Sequence, residues 1–368
     1  MSRLRPHALC IFLVGCSPTE KPSARPAALS ASTVPVASVV AASASTPARV
    51  PLSPVAAPAA APPLAFEEAW DFVYGVPAGA ASADRKAVAP EVRAECTISE
   101  VPALCILRKH PQGTRTLTFA EEVWRKHHVA VGHLPPEWMD GGYRGKIELK
   151  PQFAEASDAR QLPWILAAMD AQRTFRDAVT AKLGVAPRPF SGLPSHLRFF
   201  VSVGRTTPAA MAIVLASTDQ FYWNLHGSLH RDAKSVTETV IHEAFHLEDD
   251  HHGGWSLRAL TATHAKILAQ CSGKSATARD ACLAPFAPGR TRVRGGTFYA
   301  FHGGNDAREY GAELAVRFFE EALAAPPSPW KCATAENSYA WGAFVTEFWS
   351  GKDPLPACLT SSSGVPAP

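Results

Sequence analysis

A stretch of about fifty residues, Ser17 to Ala65, limits what this chain can fold into more than any other feature. It consists largely of Ala, Pro, Ser and Val, contains no aromatic residue and shows no helical or strand period. Such a composition buries too little apolar surface to offset the entropy lost on ordering, so a disordered linker is predicted. The remainder, 66–360, is long enough for one large core. We expect one folded domain there, with 66–150 as a possible N-terminal subdomain, and a monomer.

The first sixteen residues have the form of an export signal. Arg3 and Arg5 precede a short apolar run that ends in Leu13-Val14-Gly15-Cys16. This ending resembles the lipobox of bacterial lipoproteins, in which the cysteine becomes the lipidated first residue of the mature chain. The run is far shorter than the roughly 20 apolar residues that span a bilayer. The resemblance implies an extracytoplasmic lipoprotein of the bacterial cell envelope, in the periplasm or at the outer membrane or cell surface, anchored through Cys16.

The cysteines agree with export. Cleavage of the signal removes Cys10 and lipidation occupies Cys16, which leaves an even number of six. An even number in an oxidising compartment predicts disulfides, and closure of short loops favours pairs that are close in sequence. Pairs two to four residues apart, which structural zinc sites usually show, do not occur. We therefore expect the pairs Cys96–Cys105, Cys271–Cys282 and Cys332–Cys358.

The charge of the chain argues against one class of partner. The formal net charge is +3 over 368 residues. No cluster of Lys and Arg is interleaved with aromatic residues, as a nucleic-acid surface would need. Nucleic acid is therefore not an expected partner.

Periodicity predicts a mixture of helices and strands. Helices are expected over Phe119–His128 and over Gln161–Leu183, where Gly184 would end the second one. Strands are expected over 146–150, 196–203, 212–216 and 220–225. Because several strands precede the helix described next, the fold class is predicted to be α+β.

The most specific motif is His242-Glu243-Ala244-Phe245-His246. Ser235 to Glu238 has the form of a capping box, which predicts that a helix begins there. Residues four apart on a helix lie one turn apart on one face, so both imidazoles can reach one zinc ion. Glu243 would lie beside them and act as general base and acid toward a water molecule that the metal activates.

Three candidates remain for the third ligand. His252 has the spacing of the metzincin pattern, but Asp249 stands where that pattern needs Gly, and no Met follows the motif. Asp249 and Asp250 are the second candidate, and continuation of the helix favours Asp249 as a hydrogen-bond acceptor for His246 instead. The third candidate is Glu309 or Glu313, one turn apart on a helix predicted to start near Asp306. One carboxylate could bind zinc and the other could orient a ligand imidazole, so Glu309 is the preferred ligand.

These motifs resemble a known family. The residues His242-Glu243-x-x-His246-x-x-Asp249, Tyr299 and Glu309-x-x-x-Glu313 are similar to the catalytic domain of anthrax lethal factor and the related Pro-Pro endopeptidases, which are gluzincin-type zinc proteases. The resemblance implies that Glu309 is the third ligand and that Glu313 supports the ligand shell. It also implies that a tyrosine donates to the oxyanion, here Tyr299, with His302 or Tyr310 as alternatives. The implied fold is zincin-like: an active-site helix on a small mixed sheet, followed by a mainly helical C-terminal part.

The expected function is zinc-dependent endopeptidase activity on protein or peptide substrates in or outside the cell envelope. Zn²⁺ is the expected cofactor. Two alternatives stay open: a lipid-anchored zinc protein that binds a partner without cleaving it, and a zinc hydrolase that acts on a non-peptide amide of the cell wall.

Overall fold

A computed structural model of the chain describes residues 64–76, 90–140, 146–185, 192–202, 208–215, 218–293, 296–324, 326 and 328–358. The predicted export signal, Cys16 and nearly all of the predicted linker lie outside the described residues.

Ten α-helices and six strands make up the regular structure of the described residues. The N-terminal half contains α1 (Phe66–Tyr74), α2 (Pro90–Thr97), α3 (Pro102–Lys109), α4 (Thr114–His127), β1 (Ala130–His133), β2 (Glu137–Asp140), β3 (Lys146–Pro151) and α5 (Gln161–Leu183). The C-terminal half contains β4 (His196–Ser202), β5 (Ala210–Leu215), β6 (Thr218–Asn224), α6 (Ala233–His251), α7 (Trp255–Gln270), α8 (Ala276–Leu283), α9 (Ala307–Glu321) and α10 (Ala335–Phe348). Short 3₁₀ turns lie at Ala284–Phe286, Tyr299–Phe301 and Trp330–Cys332.

The six strands form one mixed sheet, in which five follow the order β2-β3-β4-β6-β5 and β1 pairs with β4 outside this order. Strand β4 pairs in parallel with β6 and, over His196 to Phe199, with β1, while β3 pairs antiparallel with the following residues of β4. Strand β5 runs antiparallel to β6 at the end of this order. The predicted α+β class is confirmed.

The segment 66–150, predicted as a possible N-terminal subdomain, shares its sheet and a buried cluster with later elements. This segment supplies three strands of the single sheet, and its helices α1, α3 and α4 belong to the same buried cluster as β4, β6, α5 and α6. The physical reason is that the short helices have too little apolar surface for a core of their own and bury it against the sheet.

A second buried cluster holds the C-terminal helices together. Its members include Phe318 of α9 and Trp341 and Phe344 of α10. Helix α6 lies between the two clusters, because Val240 and Ala244 pack into the first and Phe245 packs into the second. The helix that carries both histidines is therefore buried on two sides. This packing fixes the direction in which the face with His242 and His246 points.

Most predicted element bounds agree with the structure. Helix α5 spans the predicted residues, and Gly184 ends it in the left-handed region with φ 59°. Helix α4 begins at Thr114, five residues before the predicted start at Phe119. Helix α6 begins at Ala233, and its N-cap is Asp232, not Ser235. The Asp232 carboxylate accepts hydrogen bonds from both the backbone N–H and the hydroxyl of Ser235. Ser235, the predicted N-cap, therefore lies within the first turn and donates to the residue that caps the helix.

The three expected disulfides, Cys96–Cys105, Cys271–Cys282 and Cys332–Cys358, are all formed. Such bonds indicate an oxidising, extracytoplasmic compartment. Within the described residues, none of the helices combines the length and the apolar character needed to cross a bilayer.

Candidate metal centre

His242 and His246 project from α6 toward one point. Their rings lie at 77° to each other with centroids 4.8 Å apart, and the two Nε2 atoms are 3.1 Å apart. This juxtaposition follows from the four-residue spacing, which places the second imidazole one helical turn above the first.

Glu309 reaches the same point from α9. Its Oε2 lies 3.0 Å from Nε2 of His242 and 3.6 Å from Nε2 of His246. Helix α9 can approach α6 closely because Gly311 has no side chain; a Cβ there would come within 3.0 Å of Phe245. The predicted pairing of two imidazoles with the Glu309 carboxylate is therefore present.

The geometry of these three groups fits a metal ion. One ligand atom from each of His242, His246 and Glu309 lies within 4.8 Å of the other two, and this is the one such group of His, Cys, Asp and Glu found among the described residues. Tetrahedral zinc with bonds near 2.0–2.1 Å would hold its ligand atoms about 3.4 Å apart, close to the separations observed here. The group could hold a metal ion, and its two nitrogens and one oxygen are donors that zinc accepts.

The charges at this point also favour a cation. Burial alone would raise the pKa of Glu309, but the two imidazoles outweigh burial and hold it well below its usual range. Burial alone would lower the pKa of both histidines, but the neighbouring carboxylates, Glu309 above all, outweigh burial and raise both pKa values. The ionised carboxylate and the facing imidazoles therefore demand positive charge between them, which protons or a metal ion can supply.

Glu313 supports the first imidazole from behind. Its Oε1 lies 3.5 Å from Nδ1 of His242, and it sits one turn after Glu309 on α9. A carboxylate in this position accepts a hydrogen bond from Nδ1–H, which keeps the proton on Nδ1 and leaves the lone pair of Nε2 free to bind a metal. The predicted supporting position of Glu313 agrees with this arrangement.

Glu243 is buried next to the two histidines. The backbone N–H of Ala212, in strand β5, donates a hydrogen bond to its carboxylate. Burial raises the pKa of Glu243, although the neighbouring histidines counteract it. Sequence reasoning did not identify Ala212, because a backbone donor on another strand leaves no mark in the residue pattern.

Tyr299 completes the side of the centre that faces α9. It lies in the 3₁₀ turn before α9, half-buried, with its ring centroid 5.7 Å from that of His242. Burial and the nearby carboxylates raise its pKa well above the usual value, and its hydroxyl donates to Glu309. Asn305 Nδ2 donates to the carbonyl oxygen of Tyr299 at 2.8 Å, and His264 Nε2 donates to that of Ala300 at 2.9 Å. These two side chains hold the turn in place.

Tyr310 and His302, the alternatives to Tyr299 as the oxyanion donor, lie in different surroundings. Tyr310 is fully buried in the second cluster, where its ring packs near Phe301 and His264, so its hydroxyl faces the core. His302 follows the 3₁₀ turn and is half-buried. Tyr299 is the tyrosine that the structure brings to the histidines.

Two residues expected near the metal are used elsewhere. Asp249 does not accept from His246; its Oδ1 accepts a 2.6 Å hydrogen bond from the backbone N–H of Ser256, at the start of α7. His252 is held by Glu248 at 3.0 Å and Glu347 at 2.7 Å, which excludes the metzincin arrangement.

Comparison of the chain with protein-family profiles, with characterised proteins and with solved structures finds no match.

Proposed function

We propose that the protein is a zinc-dependent endopeptidase of zincin-like fold, with the gluzincin arrangement of ligands that its motifs resemble. The observation that carries the proposal is the convergence of His242, His246 and Glu309 from two helices, with Glu243 buried beside them. Residues of these types in this spacing serve metal-assisted hydrolysis.

In this proposal the ion and the protein divide the chemistry. A bound zinc ion supplies Lewis acidity and makes water a nucleophile near neutral pH. Glu243 takes the proton of the attacking water and delivers it to the leaving amine, a role suited to a carboxylate whose pKa is raised. The Tyr299 hydroxyl donates to the oxygen that becomes negative, and Glu313 keeps the His242 ring oriented.

The sheet edge supports a peptide substrate. Strand β5 ends the strand order, and among the described residues no further strand pairs with its outer side. Ala212 of this strand already donates its N–H toward Glu243, so the edge passes directly beside the reacting groups. An extended peptide could add to such an edge through main-chain hydrogen bonds, whereas a non-peptide amide of the cell wall lacks the repeating main-chain groups for that pattern.

We also propose the cellular setting. The disulfides indicate an oxidising compartment, and the lipobox-like ending at Cys16 implies an acyl anchor in the bacterial envelope. The substrates would then be proteins or peptides in or outside the envelope.

The decisive experiment combines metal analysis with cleavage of a peptide library by the wild type and Glu243→Gln. We expect one zinc ion per chain in both, and a fall in cleavage of about 10²–10⁴-fold in the variant because a general base is lost. Glu238→Gln, on the solvent side of the same helix where Glu238 pairs with Lys234, is the matched control and should cleave like the wild type.

The same experiment separates the alternatives. Unchanged biological activity in Glu243→Gln with zinc retained would favour a binding role without cleavage. Hydrolysis of purified peptidoglycan with an intact peptide library would favour the cell-wall amide. Absence of both zinc and hydrolysis in the wild type would contradict the proposal.

A further inference from the structure

A loop outside the metal centre lies against the carboxylate that supports it. After the 3₁₀ turn at 284–286, Pro288 and Gly289 cross α9 at the level of Glu313. Arg317, one turn further along α9, donates from Nε to the carbonyl oxygen of Pro288 at 2.6 Å. Nη1 of the same guanidinium lies 3.3 Å from Oε2 of Glu320, so two nitrogens of the group have partners. The loop is thus fixed to the helix that carries Glu309 and Glu313.

Gly289 leaves the space that Glu313 fills. A Cβ placed on Gly289 would lie 1.2 Å from Oε2 of Glu313 and 2.4 Å from its Cδ. Glycine is needed here for space and not for a left-handed backbone, because the φ angle of Gly289 lies outside that region.

The Glu313 carboxylate lies between Gly289 and His242. Its other oxygen, Oε1, lies 3.5 Å from Nδ1 of that imidazole, and the side chain is buried between the loop and α6. A methyl group at Gly289 would therefore move either the carboxylate or the loop that Arg317 holds. Moving the carboxylate breaks the contact that orients the imidazole.

We propose that Gly289 is a positioning residue for the metal centre: the absence of its side chain allows Glu313 to hold His242 in the orientation and tautomer that bind a metal ion. This inference rests on the proposed metal site. The loop leaves room for Glu313, Glu313 orients the His242 imidazole, and His242 binds the ion. Loss of a group that orients a ligand lowers metal affinity by about 10–100-fold, and Gly289→Ala should fall in that range.

The test measures zinc affinity of the purified full chain by competition with a chromophoric chelator. Gly289→Ala should weaken zinc binding by about 10–100-fold, and Glu313→Ala should weaken it by a similar factor. The clash requires the carboxylate, so the double variant Gly289→Ala/Glu313→Ala should bind zinc no more weakly than Glu313→Ala alone. Gly303→Ala is the matched control, because a Cβ there meets no atom within 4 Å and its φ is unstrained; its zinc affinity should equal that of the wild type.

Three results would overturn the inference: zinc affinity of Gly289→Ala within twofold of the wild type, losses that add in the double variant, or failure of the double variant to fold. If Gly289→Ala alone does not fold, the double variant still carries the test, because removal of the carboxylate removes the overlap. A wild type that binds zinc and cleaves peptides while Gly289→Ala binds zinc normally would contradict this inference only. A wild type without zinc affinity would contradict the proposed function as well.

Discussion

At the residue scale, the three ligand groups differ in how they reach the metal centre. His242 and His246 share one helix, so their four-residue spacing alone places both imidazoles on one face. Glu309 comes from a helix more than sixty positions further on and meets them only because α9 packs on α6. The sequence could rank Glu309 above its competitors by elimination, but the meeting itself depends on the packing of two helices.

Asp249 shows where local reasoning failed. It lies three positions after His246, which favoured a hydrogen bond between them, yet its carboxylate accepts from Ser256 at the start of α7. The first backbone N–H groups of a helix have no partner within the helix, and a buried one is costly to leave unpaired. The short Gly253-Gly254 turn brings that donor to Asp249, and turn geometry of this kind could not be deduced from helical spacing.

Replacing Asp249 distinguishes a cap from a metal-supporting residue. Asp249→Ala should lower the free energy of unfolding by about 1–2 kcal/mol, because the Ser256 N–H loses its acceptor, and should leave zinc affinity within about twofold of the wild type. Urea denaturation and chelator competition measure the two quantities. Asp249→Asn keeps an acceptor oxygen and should lower the free energy of unfolding by less than Asp249→Ala. Weaker zinc binding with unchanged stability would show that Asp249 supports the centre after all.

At the scale of elements, the C-terminus of α6 is joined to α10 by a charged side chain. His252 lies between Glu248, one turn earlier, and Glu347 of α10, and its ring packs against Phe348. Burial alone would lower the pKa of His252, but the two carboxylates outweigh it and raise it to about 9 from 6.5. Other charged groups at this helix end include His251, which pairs with Asp219, Asp250, Arg176, and Arg258, which donates to the carbonyl oxygens of His252 and Gly253.

This pairing predicts how stability changes with pH. A group whose pKa is raised by folding stabilises the native state fully below its unfolded value, near 6.5, and loses that contribution as pH rises through about 9. The contribution is at most about 3 kcal/mol. Urea denaturation between pH 6 and 10 should show this decline in the wild type and a flatter profile in His252→Gln. His226→Gln, at an exposed histidine, should keep the wild-type profile; parallel profiles for wild type and His252→Gln would contradict the prediction.

The elements also show what local patterns can predict. Helix α5 and the strands β3, β4 and β6 lie within two residues of their predicted bounds, because their periodicity, β-branched and aromatic content and Gly184 are local signals. The start of α6 was predicted at Ser235, whereas Asp232 caps the helix at Ala233. Both residues are good N-caps, and the choice between them depends on the path by which the chain arrives from β6.

At the scale of the whole molecule, disulfides hold the ends of the helical part. Cys332–Cys358 closes the C-terminal segment over α10, where Lys331 Nζ donates to Asp353 Oδ2 at 2.6 Å and Trp341 Nε1 donates to its Oδ1 at 3.0 Å. The bond fixes the segment after the last helix to the second buried cluster.

Removal of this bond should destabilise the protein. The two cysteines are 26 positions apart, and a closed loop of that length predicts a loss of roughly 3–4 kcal/mol in Cys332→Ser/Cys358→Ser. Thermal and urea unfolding of the variant measure it. At temperatures and urea concentrations below the unfolding midpoint, the zinc affinity of the variant should match that of the wild type. None of the proposed metal ligands lies in the C-terminal segment that the disulfide closes. An unfolding free energy equal to that of the wild type would show that the side-chain contacts of Asp353 hold the segment without the bond.

The sequence by itself determined the α+β class and the helix with His242, Glu243 and His246, and it favoured the sequential disulfide pairs and Glu309 as the partner of the histidines. Each of these depends on spacing along the chain or on short loops, which are properties that a linear pattern records. Only the tertiary structure decided that 66–150 shares the central sheet, that Asp249 caps α7, and that Ala212 and Gly289 lie against the acidic groups of the centre. These contacts join residues far apart in sequence, and their formation depends on the packing of whole elements, where a backbone N–H or a missing side chain can matter as much as a charged group.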